Sequence, residues 1–275
     1  MSIFDQMLAR YEIKTNDDYI NAQHEVMQQI ALAGLYRGGF FNKAAFYGGT
    51  CLRIFYGSQR FSEDMDFSLL QPEANFHLEN YFGAVVNEFK ALGRDVIISK
   101  KQKKSQTNVE SAFLKDDTAI YHLQFRTERQ IKIKIEVDIV PPSGFTTENK
   151  LLLLPFSFMT RCYTLPDLYA GKMHAFLFRT WKNRVKGRDW YDFEWYVRNA
   201  IALNFQHFRQ RTIQFGSLDQ ELTQQDFRKL LKAKISKTNI DQVKADVRPF
   251  IKNPGELDIW TAEYFIQMVD MIRYK

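Results

Sequence analysis

The sequence predicts an α+β protein: a mixed, mainly antiparallel sheet flanked by helices, followed by a C-terminal helical bundle. Three observations carry this. Short alternating stretches broken by glycine and proline crowd the region before residue 155. Beyond Thr164 apolar residues recur almost throughout at helical spacing. At 275 residues a single hydrophobic core has stopped growing efficiently, which favours two domains. The expected division is 1–155 and 156–275.

Taken in order, Val26, Ile30, Ala33 and Leu35 recur at helical spacing from about Asn21 to Tyr36, and Gly38-Gly39 closes the pattern. The run Ala44 to Tyr47 reads as a strand, Gly48-Gly49 as a tight turn, and Thr50 to Phe55 as the start of a helix. Residues 61–69 alternate: Phe61, Glu63, Met65, Phe67 and Leu69 face one side, and Ser62, Asp64, Asp66 and Ser68 the other. A helix is expected from about Ala74 to Leu92, then strands near 94–99, 108–114, 119–126 and 131–139, and a further strand-like run from Leu151 to Leu154. The helical half reads as Pro166 to Trp181, Arg188 to Ile201, 204–214, 223–234, 239–248 and 257–272.

Composition narrows the function. With 45% apolar and 25% charged residues the chain is an ordinary globular protein, and a net charge of +6 favours an anionic partner: nucleotide, RNA or DNA. Only two cysteines occur, Cys51 and Cys162, neither in a metal-type spacing, so a reducing cytoplasmic location is expected. No window approaches the roughly 20 apolar residues of a membrane span. The five histidines show no ligand spacing, which argues against zinc. The lysine-rich run 100–104 reads as a solvated hairpin tip, and Trp181, Trp190, Trp195 and Tyr196 read as helix–helix packing before base stacking.

Asp64 and Asp66, two positions apart on a strand, place both carboxylates on one face, which suits ligands shared by neighbouring divalent metals. Hard Mg²⁺, or Mn²⁺, takes such oxygen donors. A third carboxylate is expected from the alternating stretch 131–139, whose polar face holds Glu136 and Asp138 with Lys132 and Lys134; Glu136 is preferred, with Asp138 the alternative. Gly48, Gly49 and Thr50 at the mouth of a helix can present N–H groups and a hydroxyl to nucleotide phosphates. Arg53, Arg60 and Ser62 are further candidates for phosphate contact. Together these features suggest nucleotidyl transfer from an NTP.

In the helical half Lys172 falls on the apolar stripe of Leu165, Leu168, Tyr169, Ala175 and Phe176. An inward ammonium needs an anion, such as a triphosphate, unless its stem carries it to water. Arg179, Lys182, Arg184, Lys186 and Arg188 follow, a concentration suited to the phosphates of a nucleotide or an RNA acceptor, and Asp189 is placed to orient Lys172 or the acceptor.

The strings Gly48-Gly49-Thr50-x-Leu52-Arg53 and Arg60-Phe61-Ser62-Glu63-Asp64-Met65-Asp66-Phe67 resemble the signature of the AbiEii/AbiGii abortive-infection toxin family of nucleotidyltransferases, within the DNA polymerase beta superfamily. Lys172 and Arg188-Asp189-x-x-Asp192 are similar to that family's later motifs. The resemblance implies a nucleotidyltransferase lobe and a helical bundle, and a toxin of a toxin–antitoxin or phage-defence system with an antitoxin protein as partner. It implies NTP as substrate, and RNA, such as a transfer RNA end, or protein as acceptor. Asp64 and Asp66 would bind metal, Lys172 would contact nucleotide phosphates, and Asp189 would be the acid of the last motif. Two other classes compete: a metal-dependent nuclease using the same carboxylates, and a non-catalytic RNA- or partner-binding module acting through the basic helices.

Overall fold

The computed structural model describes residues 1–100, 118–125, 131–179, 185–217 and 222–275. The expected strand at 108–114 and the residues Trp181, Lys182 and Arg184 lie outside them, as does most of the lysine-rich run. The chain divides into two compact units: Met1–Cys51, Ser62–Pro141 and Thr147–Cys162 form the first, and Leu52–Phe61, Pro142–Thr146 and Tyr163–Lys275 the second.

The first unit is a sheet with helices. After a short helix α1 (Ile3–Leu8), α2 runs from Asn16 to Arg37. It begins five residues before the sequence pattern suggests because Thr15 and Asp18 form a capping box: the Thr15 hydroxyl accepts from the Asp18 N–H, and the Asp18 carboxylate accepts from the Thr15 N–H. Strand β1 (Ala44–Tyr47) leads into helix α3 (Gly48–Tyr56), and β2 (Met65–Leu69) follows. Only the second half of the alternating stretch 61–69 is strand. Met65, Phe67 and Leu69 are buried as expected, whereas Glu63 is exposed and Ser62 buried, because Gln28 of α2 donates from Nε2 to the carbonyls of Ser62 and Glu63 and holds that segment as a loop.

Helix α4 (Phe82–Ala91) starts later than the expected Ala74, since the Glu73 N–H donates to the Ile139 carbonyl and a 3-10 turn at Leu78–Tyr81 intervenes. Strands β3 (Val96–Lys100), β4 (Thr118–Phe125), β5 (Lys132–Asp138), β6 (Thr147–Leu152) and β7 (Phe158–Tyr163) complete the sheet. Strand β7 was not foreseen. The spatial order is β3-β4-β5-β2-β1-β7-β6. The β1–β2, β3–β4 and β4–β5 pairs are antiparallel, and β2–β5 and β1–β7 parallel, a mixed and mostly antiparallel sheet. One face is apolar: Phe67 packs with its ring centroid 5.0 Å from both Phe40 and Phe46, and all three are fully buried. Each buried phenylalanine stabilises the fold by roughly 1.5–3 kcal/mol. The opposite face is polar, and it carries the carboxylates.

The second unit is built of helices α5 (Leu165–Phe178), α6 (Gly187–Arg198), α7 (Phe205–Gln214), α8 (Gln224–Lys237), α9 (Ile240–Val247) and α10 (Ala262–Asp270). A two-stranded parallel pair, β8 (Ala202–Leu203) with β9 (Arg273–Tyr274), ties its C-terminus down. Tyr169 stacks on Tyr196 at 4.4 Å and Trp190 meets Phe265 edge-on at 4.8 Å, all buried. Trp190 and Tyr196 are therefore core residues. Among the described residues no helix is long and apolar enough to cross a membrane.

Candidate active site

The turn after β1 and the strand β2 meet. Tyr47 pairs with Asp66 across the antiparallel β1–β2 ladder, so the next residue, Gly48, lies against the Asp66 side chain. Gly48 has φ +80°, a left-handed conformation that residues with a Cβ rarely adopt. A Cβ there would overlap Asp66 Oδ2 and stand 3.0 Å from Asp66 Cγ. Glycine is thus demanded twice, by conformation and by the carboxylate filling the space.

The parallel β2–β5 register sets Asp66 beside Glu136 and Ser68 beside Asp138. Asp66 and Glu136 are neighbours on the polar face, whereas Asp138 lies one pleat repeat further on and accepts from the Val140 N–H at 3.1 Å in a local turn. Glu136 is ion-paired with Lys134 at 2.7 Å. Asp64 immediately precedes β2, half-buried like Asp66. Among the described residues no group of three or more His, Cys, Asp or Glu side chains is gathered closely enough to hold a metal ion. The donor chemistry nevertheless fits a hard divalent cation: aspartates at i and i+2 with a glutamate on the adjacent strand, all oxygen donors.

Thr50 is fully buried in the first turn of α3, and its hydroxyl is engaged with Ser62 Oγ at 3.0 Å and with the Asp64 carbonyl. It fastens the start of α3 to the loop before β2, so Thr50 and Ser62 spend their hydroxyls on each other. Arg53, in the second unit, donates from Nη1 to the carbonyls of Ser58 and Gln59 at 3.0 and 2.9 Å. Arg60 is 2% exposed, and its guanidinium grips Asp192 through Nε–Oδ1 at 2.5 Å and Nη2–Oδ2 at 2.6 Å. Where the sequence suggested phosphate contacts for Arg53 and Arg60, the structure gives both intramolecular partners.

Lys172 does point inward. Its ammonium lies 2.8 Å from Asp189 Oδ1 and 2.8 Å from Asp192 Oδ2, with its side chain 14% exposed. Arg179 stands 3.9 Å from Asp189 Oδ2. Burial alone would push both aspartic carboxyls up; Lys172 beside Asp189, and Arg60 with Lys172 beside Asp192, overcome this and hold both below the usual carboxylate range. Lys186 is pushed down to about 8, chiefly by burial, against the opposing pull of Asp189. Sequence reasoning missed the pairing of Arg60 with Asp192. The available signal was the i, i+3 spacing of Asp189 and Asp192, which puts two carboxylates on one helix face.

A sheet unit whose glycine turn abuts a carboxylate strand, with a helical unit on the same chain, agrees with the nucleotidyltransferase class that the sequence motifs resemble. The chain belongs to the nucleotidyl transferase AbiEii toxin family of type IV toxin–antitoxin systems, whose sequence profile matches residues 30–267. Membership implies NTP as substrate and an antitoxin as partner. The crystal structure of JHP933 from Helicobacter pylori is similar over 91% of this chain and 90% of its own, at 17% identity and a TM-score of 0.52. A second H. pylori structure, a candidate nucleotidyltransferase, covers 90% of this chain and 92% of its own at 18% identity and a TM-score of 0.50. MenT4, a nucleotidyltransferase toxin from Mycobacterium tuberculosis, aligns over 90% of this chain and 74% of its own, at 17% identity and a TM-score of 0.47. At such identities the H. pylori likenesses concern the fold alone. No match was found among curated protein sequences.

Proposed function

We propose that the chain transfers a nucleoside monophosphate from an NTP to an RNA acceptor, such as a transfer RNA end, with release of pyrophosphate. The observation that carries this reading is the contact between Gly48 and the Asp66 carboxylate, which brings a helix-opening turn and an acidic strand together. Asp64, Asp66 and Glu136 would hold Mg²⁺ or Mn²⁺, with Asp138 held back by its turn. When bound, such ions supply Lewis acidity toward the phosphates and lower the pKa of the attacking hydroxyl.

The backbone N–H groups of Gly48 and Gly49 open the nine-residue helix α3, where first-turn donors have no intrahelical acceptor and the helix dipole favours phosphate. Thr50 keeps that turn in register with the Asp64 loop through its internal hydrogen bonds. Lys172 is the proposed cation for the nucleotide phosphates, and Asp189 orients its ammonium. The choice of RNA over protein acceptor is supported by charge: the excess of basic over acidic residues falls in the helical unit.

The test is incubation of the purified chain with Mg²⁺, bulk transfer RNA and each labelled NTP in turn, beside Asp64→Ala. Label on RNA and stoichiometric pyrophosphate from the wild type, both absent in Asp64→Ala, are expected, because removing transition-state charge stabilisation of this kind costs orders of magnitude in rate. Label on protein would replace the acceptor. Shortening of RNA without NTP would replace the reaction by phosphodiester cleavage, and equal transfer by Asp64→Ala would remove the site.

A further inference from the structure

We propose that Arg60 is a positioning residue that, through Asp192, sets the ammonium of Lys172 for nucleotide phosphate. The inference rests on the reading of Lys172 as the phosphate contact and names what holds it in place.

The geometry lies wholly within the second unit. Asp189 and Asp192 are three residues apart on one face of α6, and both are almost fully buried. Lys172 bridges them at 2.8 Å on each side. Asp192 Oδ2 therefore accepts from two cations, Lys172 Nζ and Arg60 Nη2, while Oδ1 accepts from Arg60 Nε. Because Asp192 is fully buried, no solvent is at hand to replace either donor.

A guanidinium fork meets a carboxylate in one plane through two parallel bonds, which fixes the orientation of that carboxylate; an ammonium cannot do this. Arg60 is itself braced, since Nη1 donates to the Phe61 carbonyl at 3.0 Å and the Phe61 N–H donates to the Phe250 carbonyl at 2.7 Å. With Arg60 in place, the charge of Asp192 is shared and Lys172 is not neutralised by two carboxylates acting on it alone. Arg60, Lys172 and Arg179, with Lys186 also acting on Asp189, outnumber the carboxylates Asp189 and Asp192, a positive excess that suits a phosphate. Without Arg60, Asp192 is free to turn and draw the ammonium wholly to itself.

The test measures binding of ATP, GTP, CTP and UTP separately, with Mg²⁺, by calorimetry to the full chain, and in parallel the KM and kcat of transfer and the melting temperature. Arg60→Lys keeps the charge and loses the fork. It is expected to weaken binding of the preferred NTP and raise its KM by roughly tenfold to a hundredfold, the range for a hydrogen bond to a charged group, with kcat changed much less. In the cycle with Lys172→Met, the double variant is expected to bind no more weakly than Lys172→Met alone, because the two residues act through one contact. Wild-type NTP binding by a folded Arg60→Lys, alongside impaired Lys172→Met, overturns the proposal and leaves the Lys172 reading standing. Wild-type binding by Lys172→Met overturns both. If Arg60→Lys does not fold, Arg60→Leu with Asp192→Leu replaces the pair by apolar side chains, which buried ion-pair sites often tolerate; weakened NTP binding then supports the proposal, and unchanged binding overturns it.

Discussion

Replacing Gly48 by alanine tests the coupling between the turn and the carboxylate strand. Two costs arise. At φ +80° a Cβ adds about 1–2 kcal/mol of backbone strain, and that Cβ overlaps Asp66 Oδ2, so the carboxylate must swing away. Gly57 supplies the control, since its φ is +81° and a Cβ there would meet nothing within 4 Å. Gly57→Ala carries the strain alone. The strain alone should lower the melting temperature of either variant by about 2–8 °C, at the usual 2–4 °C per kcal/mol, and the displaced carboxylate should add to the loss in Gly48→Ala. Only Gly48→Ala should lose transfer, on the order of a hundredfold, the penalty for misplacing a reacting group by about 1 Å. The assay is label transfer from NTP at saturating Mg²⁺, with melting followed by circular dichroism. Equal activity in the two alanine variants would refute the reasoning, because strain would then account for everything and the contact with Asp66 for nothing.

Three more outcomes are expected. Glu136→Gln should reduce transfer far more than Asp138→Asn, because the register sets Glu136 beside Asp66 and Asp138 beside Ser68; the reverse order in a transfer assay would exchange their roles. In a bacterial host, induced wild-type chain should slow growth and Asp66→Ala should relieve it, with colony counts as the readout and equal toxicity as the contrary result. Stability should fall on acidification through two buried neutral histidines, His174 and His207, pushed down to about 3 and about 4, first by burial and then by Arg211. Below the unfolded value of about 6.5 the unfolded chain binds the protons that the folded chain refuses, so the stabilisation present above pH 6.5 is lost as pH falls toward the folded values. From pH 6.5 to 5 each histidine should cost on the order of 2 kcal/mol, measured by denaturant unfolding; a flat profile in wild type, or an unchanged slope in His174→Gln with His207→Gln, would contradict this.

Much was legible in the residues themselves. The strand, turn and helix from Ala44 to Tyr56 could be read because glycine pairs and short apolar runs are local signals. So could the second-unit helices, whose 3.6-residue pattern mirrors a buried face. The inward course of Lys172 was visible as a charge on an apolar stripe, whereas the residues left Asp189 open between Lys172 and the acceptor, and the structure pairs it with Lys172. Other features were hidden. Strand β7 escaped notice because Phe158, Thr160 and Cys162 are buried while Met159 is exposed, an alternation too short to separate from a loop. The segment 61–64 mimics a strand in its alternation, yet Gln28, more than thirty residues earlier, takes its carbonyls and makes it a loop.

By itself the sequence determined the chemistry available: paired aspartates behind a glycine turn, an acidic strand, and a lysine on an apolar stripe. These follow from side-chain type and short-range spacing, which the chain carries whatever its fold. Only the tertiary structure decided which carboxylate stands beside Asp66, that the Asp66 side chain occupies the space where Gly48 lacks a Cβ, and that Arg60 grips Asp192. Strand register and ion pairing between residues far apart in the chain depend on how buried surfaces fit together, and no local pattern encodes that.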